Sequence, residues 1–372
     1  MPHRCALCLV LFFAACGKSG GEEPPASGGS SGNESGGGGA RAGGSGGQAS
    51  GGSDGGGAGA AGNGGAMPAD ADTPDLMVAP PDASTDEGTV PASDMAPVAT
   101  SWCPPGPFEA PKPGASQNVC PGFAVNYDWN EGPTWLASQK AFFFSNFVMR
   151  AAGPGDMIKF DPATNKCEIF IAGNGCNGLT VDRDGNILAA CHTPRALMKY
   201  DPVTKKGTVV VDMIEGQKVD SPNDVVAHPN GTIYFSNTTL ELAGRPVGYG
   251  SALMRVDPAG MVHLIARGSI NPLGLAPDQK RLYAMGGYWD LDDAGVPIKK
   301  GGAFTLGGDG IAIDCAGNVY IDSGGIISPQ NQRIGSYPGG TNSAFGGEDG
   351  KTLLVVGGRN MHTVQMNIPG LP

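Results

Sequence analysis

Six positions, each just ahead of a short apolar hairpin, could carry chemistry: Glu131, Asn177, Asn223, Leu273, Asp309 and Thr341. Five of the six side chains bear oxygen, and two are carboxylates. Carboxylate and amide oxygens meeting at one point suit a hard divalent cation, Ca2+ or alternatively Zn2+, Mn2+ or Mg2+, whose charge two carboxylates would balance. Without an ion, the two acids would repel and take up protons. Taken singly, each residue has a plainer use, because Asp and Asn before Gly are common in turns. Their shared register across repeats is what points to a common site.

The elements that must position these residues are strands. One pattern recurs: EGPTWLASQKAFFFSN from Glu131, NGLTVDRDGNILAACH from Asn177, NDVVAHPNGTIYFSN from Asn223, LGLAPDQKRLYAMG from Leu273, DGIAIDCAGNVYIDS from Asp309 and TNSAFGGEDGKTLLVV from Thr341. Each reads as strand, tight turn, strand, with Asp184-Gly185, Asn230-Gly231 and Asp349-Gly350 supplying residues that tolerate positive φ. Further strand candidates such as Met157–Asp161, Gly207–Asp212 and Met261–Ala266 fill the gaps. Roughly four strands per unit, repeated at the spacing of propeller blades, predict an all-β, six-bladed β-propeller. The last unit is short, and the stretch Pro121–Tyr127 is expected to supply its missing strand.

The rest of the chain cannot fold this way. From Gly17 to about Thr100 the residues are mostly Gly, Ser, Ala, Pro and Asp. Such a segment has too few apolar side chains to offset the entropy of ordering. It reads as a disordered Gly/Ser/Pro-rich linker, 17–100, ahead of a propeller at 101–372. Most of the net charge of −11 falls in that linker, so the folded part offers no electrostatic case for nucleic acid. Upstream, Arg4 and the apolar run Cys5–Ala15 have the layout of an export signal over residues 1–16, too short to span a bilayer. Phe13-Ala14-Ala15-Cys16 resembles a bacterial lipobox, which implies lipidation of Cys16 and an exported chain anchored at the outer membrane or cell surface, touching membrane only through its lipid. Export favours disulfides among Cys103, Cys120, Cys167, Cys176, Cys191 and Cys315. Proximity in sequence suggests Cys103–Cys120 and Cys167–Cys176.

Together, Glu131-Gly132-Pro133-Thr134-Trp135, NGLTVDRDGNILAACH, SPNDVVAHPNGTIYFSN, DGIAIDCAGNVYID and SAFGGEDGKTLLVV resemble the gluconolactonase/senescence-marker-protein (regucalcin) family over about Gly122 to Gly357. The resemblance implies a six-bladed propeller and a calcium- or zinc-dependent lactone hydrolase. By position it implies Glu131 and Asp309 as metal ligands, Asp309 also as catalytic base, and Asn223 beside metal and substrate. The family's P-N-G-L-A-x-S-P-D element, source of a further metal-binding asparagine, reads here Asn271-Pro272-Leu273-Gly274-Leu275-Ala276-Pro277-Asp278, with Leu273 at the asparagine's place.

These readings predict hydrolysis of a small lactone or sugar-derived ester by a monomer. Asp309 or Glu131 would take a proton from water, and Asn223 and Asn177 would donate to substrate or oxyanion. His192, at a point where the family often has His, lines the channel or serves a loop hydrogen bond. No G-x-S-x-G elbow is present. Leu273, the shortened strand after it and the anchor-plus-tether layout motivate the competing expectation of a non-catalytic surface module with a degenerate metal site.

Overall fold

The computed structural model describes residues 103–149, 153–306 and 308–372; the expectations for the export signal, Cys16 and the linker lie outside them. Among the described residues the regular structure is β, apart from one three-residue turn of helix at Ala137–Gln139. No described helix is long and apolar enough to cross a membrane. Six four-stranded antiparallel sheets follow one another, with innermost strands Trp129–Leu136, Cys176–Val181, Ser221–Ala227, Leu273–Leu275, Ile311–Ile313 and Asn342–Gly346. They are the six blades of the expected propeller, numbered here one to six in chain order.

The reason for this arrangement is visible in the strand Ala141–Phe147, whose sequence AFFFSNF is buried along its whole length. A half-exposed strand alternates, whereas one buried on both faces is apolar throughout. Phe142 and Phe144 pack toward blade six, and Phe143 packs toward blade two. The same division holds around the ring, where six apolar clusters are each shared by two neighbouring blades. Every blade therefore needs both neighbours, and the ring must close. The turns close as their sequences require, with Gly185, Gly231 and Gly350 all at positive φ.

Closure differs from expectation in one respect. The outer strand of blade six is Pro113–Asn118, not Pro121–Tyr127. It pairs with Asn360–Met366, from Pro113 opposite Met366 to Asn118 opposite His362. Residues 121–127 must instead carry the chain from the rim back toward the axis, where blade one begins at Trp129.

The disulfides also correct the sequence reading. Cys103–Cys120 and Cys167–Cys176 do not form; the pairs are Cys103–Cys315, Cys120–Cys167 and Cys176–Cys191. Cys167 lies on the outermost strand of blade one and Cys176 on the innermost strand of blade two, so a blade's width parts them. Cys176 stands opposite Cys191 in strand register. Cys120, just past the closing strand, meets Cys167 with Cα atoms 5.6 Å apart, and its N–H donates to Asn165 Oδ1 at 2.9 Å. Cys103 is held to the inner turn of blade five, beside the C-terminal segment whose Pro369 O accepts from Cys315 N.

Peptide mapping without reduction should recover these three pairs and no free thiol over 103–372. Replacing Cys103 and Cys315 by Ser should lower unfolding free energy by about 2–5 kcal/mol. Recovery of Cys103–Cys120 would reverse the assignment.

Candidate active site

The residues opening the six inner strands form the ring that the repeats implied, with two shifts of register. In blades two, three and five, the residue closing the inner turn makes a matched backbone bond: Asp182 N to Asn186 O, His228 N to Thr232 O, Asp314 N to Asn318 O. In blade four the counterpart is Ala276 N to Arg281 O, across a turn one residue longer. Counting back five residues gives Asn177, Asn223, Asp309 and, in blade four, Asn271 rather than Leu273. Leu273 is instead a core residue between blades three and four, and its N–H donates to Asp224 Oδ2 at 2.7 Å. In blade six, Gly346 pairs with Thr352 as Val181 pairs with Ile187, which places Asn342 rather than Thr341 in the ring. The corrected set is Glu131, Asn177, Asn223, Asn271, Asp309 and Asn342, all buried except Asp309, which is half-buried. Every one bears a side-chain oxygen.

Glycines let neighbouring blades approach this closely. A Cβ on Gly178 would come within 2.6 Å of Asn223 O and 2.9 Å of Asp224 Cα. One on Gly310 would overlap the Asn342 amide.

Glu131 and Asp309, 178 positions apart in sequence, are hydrogen-bonding neighbours across the axis. Glu131 Oε1 also accepts from Trp129 Nε1 at 3.0 Å, and Thr341, displaced from the ring, lies beside the same carboxyl while its hydroxyl donates to Val356 O at 3.2 Å. Asn271 Nδ2 donates to Asp309 Oδ1 at 2.8 Å and to Asp309 O at 2.9 Å. Burial first, and then the Asp309 charge, push Glu131 well above the usual carboxylate range. Burial also raises Asp309, helped by the charge of Asp322, which accepts from Asp309 N. Asp224, next to Asn223, is pushed up to about 7, chiefly by burial. Asp224 and Asn342 are thus residues at the ring that the sequence reading missed, and Asn271 is one that it named without placing in the ring. The turn pairs Pro229-Asn230 and Pro277-Asp278, aligned with each other, were the signal that could have found Asn271.

The amides of Asn177 and Asn223 are buried and make no side-chain hydrogen bond to another described residue, so both are free to meet a ligand. His192 is fully buried, with its ring centroid 5.0 Å from that of Phe147. Neither ring nitrogen has a partner in good geometry among the described residues. Burial lowers its pKa to about 4, against a smaller opposing effect of the Gly153 backbone, so the imidazole is neutral. Arg245 fixes its backbone, with Nη2 donating to His192 O at 2.6 Å. The Cys176–Cys191 bridge sets His192 beside the strand that carries Asn177.

The donor chemistry of the ring fits a hard cation: two neighbouring carboxyls, both raised above the usual carboxylate range chiefly by burial, with amide oxygens around them. Among the described residues, no three His, Cys, Asp or Glu side chains group as ligands, so any ion here would rely on amides as well. Next to the ring lies an axial cavity of about 700 Å³, walled by Leu136, Leu179, Val225, Leu275, Ile313 and Ala344 and reaching Asp224 and Asn342. Glu131, Asn271 and Asp309 do not line it; it runs toward the inner turns, away from the strand ends that hold those three.

Fold and ring together define a six-bladed propeller with a paired-carboxylate axial site. The chain belongs to the SMP-30/Gluconolactonase/LRE-like region family, whose model matches residues 129–359. It is 31% identical to a gluconolactonase of Zymomonas mobilis, over 65% of this chain and 80% of that protein. It is 25% identical to a pentonolactonase of Haloferax volcanii, over 60% and 80%. Similar solved structures include a gluconolactonase of Xanthomonas campestris (TM-score 0.59, 19% identity, 72% of this chain and 100% of that one). Another is a regucalcin of Agrobacterium tumefaciens, described as a calcium-binding protein (TM-score 0.53, 18% identity, 66% and 91%).

The raised carboxyls have a consequence for stability. Each binds its proton more tightly folded than unfolded, so its contribution is fully present below about pH 4 and is lost as pH rises through the folded pKa, about 7 for Asp224. In chelator at pH 8, Asp309→Asn should therefore raise the melting temperature, about 2–4 °C for each kcal/mol of relieved repulsion. The gain should shrink toward pH 4. A lower melting temperature at pH 8 would mean that the Asp309 charge is already compensated.

Proposed function

We propose that the protein hydrolyses lactones at the axial ring, with a sugar-derived lactone as the substrate class. The observation that carries this reading is the Glu131–Asp309 contact, with Asn271 holding one Asp309 oxygen. Family membership and the named activities of the gluconolactonase and pentonolactonase relatives support it. Glu131, Asn223, Asn271 and Asp309 would hold a divalent cation, with calcium the first choice. When bound, that cation would polarise the lactone carbonyl and make water more acidic.

The chain's own groups do the remainder. Asn271 donates to Asp309 Oδ1 and leaves the second oxygen, Oδ2, to take a proton from the attacking water. As the water oxygen bonds to the carbonyl carbon, the free amides of Asn177 and Asn223 supply N–H donors for the developing oxyanion. The ring C–O bond then breaks, and Asp309 returns the proton to the departing ring oxygen, giving a hydroxy acid. Neutral His192, fully buried beside Phe147 and outside the axial cavity, backs the strand that carries Asn177 rather than meeting substrate. The competing view of a degenerate scaffold rested on Leu273, the shortened strand after it and the anchor-plus-tether layout; Asn271 beside Asp309 answers the first of these.

Purified protein should open glucono-1,5-lactone with added Ca2+ and lose that activity in chelator. Asp309→Ala should lower kcat by about 10²–10⁴-fold. Full activity in Asp309→Ala would contradict the assignment.

A further inference from the structure

A second cleft, of about 310 Å³, lies beside the ring between blades six and one. Its walls are Trp129, Thr341, Asn360, His362 and two glycine pairs, 339–340 and 357–358. All belong to strand ends or loops on the face that carries Glu131 and Asp309. Two of its walls adjoin Glu131: Trp129 Nε1 donates to the Glu131 carboxyl at 3.0 Å, and Thr341 lies beside that carboxyl.

The glycines keep this space open. A Cβ on Gly357 would come within 2.6 Å of Thr341 N, so the two glycine pairs allow backbones to approach. Gly358 differs: it has φ +53, and a Cβ there would meet only the Trp129 indole, 3.9 Å from Cζ3. A side chain at 358 would therefore extend over the indole. Trp129 itself is half-buried, its N–H spent on Glu131 and its ring bordering the cleft. An aromatic wall with a few polar groups at the rim, here the exposed Asn360 and the half-buried His362, is the pattern of a small-molecule subsite.

We propose that this cleft seats a second ring of the substrate, so that the preferred lactone is an aldonolactone bearing a glycosyl substituent, with that sugar against Trp129. The inference rests on the lactonase reading above. An indole presents a broad apolar wall to the C–H face of a pyranose, while Asn360 and the cleft's backbone groups can meet its hydroxyls. A ring seated there lies next to the residue that fixes Glu131, so binding in the cleft also orders the catalytic carboxylate pair.

The test compares cellobiono-1,5-lactone, which has a glucosyl ring on O4, with glucono-1,5-lactone. Wild type should show kcat/KM at least ~10-fold higher for the two-ring lactone. The ratio should fall to about one in Trp129→Leu and in Gly358→Asn, which tolerates positive φ and fills the cleft while leaving the Trp129–Glu131 bond in place. The ratio isolates the cleft, because general damage to the fold or to Glu131 lowers both rates together. Calorimetry with the open-chain products gives a reading independent of catalysis: cellobionate should bind at least ~10-fold more tightly than gluconate, and Gly358→Asn should abolish the difference. A wild type that opens neither lactone but keeps the binding preference would overturn the lactonase reading and leave the cleft assignment standing. Equal binding of the two products, or a preference untouched by Gly358→Asn, would overturn the cleft assignment itself.

Discussion

The structure depends on holding two carboxyl groups in contact where water cannot screen them. Glu131 and Asp309 come from blades one and five, and nothing local brings them together. Isolated burial of such acids is unfavourable, and proximity makes it worse. The surrounding groups limit that cost without removing it. Trp129 donates to Glu131, and Asn271 donates to Asp309, yet both acids remain raised. A site that is costly as it stands, and that the proposed cation would ease, matches a fold whose stability is spent on function.

The scaffold makes that contact possible through closure. Six apolar interfaces, each shared by two blades, fix the blades relative to the axis. The strand Pro113–Asn118 completes blade six from the chain's other end. Cys120–Cys167 then fastens that closing segment to blade one, and Cys103–Cys315 fastens the segment before it to blade five. Side-chain-free positions at the axis matter equally. Gly132, Gly178 and Gly310 let inner strands come close enough for six polar side chains to share one ring.

The fold was legible because the hairpins state their own geometry: apolar strands, an Asp-Gly or Asn-Gly turn in three of the six, and an oxygen-bearing residue ahead in five. Glu131, Asn223 and Asp309 could be read as site residues for that reason. Asn271 was hidden by Leu273-Gly274, which imitates the Asn-Gly start of the other repeats two residues too late; the longer turn at 276–281 absorbs the offset. Asn342 was hidden by its neighbour Thr341, also an oxygen donor. That the six cysteines pair was legible, but not with which partner, since the bridges from Cys103 to Cys315 and from Cys120 to Cys167 depend on how the ring closes rather than on sequence distance. Asp224 and Trp129 gave no signal because their significance lies in what stands beside them in space.

The central claim is that the axial acids keep a proton which a cation displaces. Titrating the metal-free protein with Ca2+ at pH 7, by calorimetry in two buffers of different ionisation heat, counts that proton directly. The account predicts one ion per chain with release of about one proton, because ligating carboxylates must be deprotonated. Calcium that fails to bind, or binds with no proton released, would contradict it.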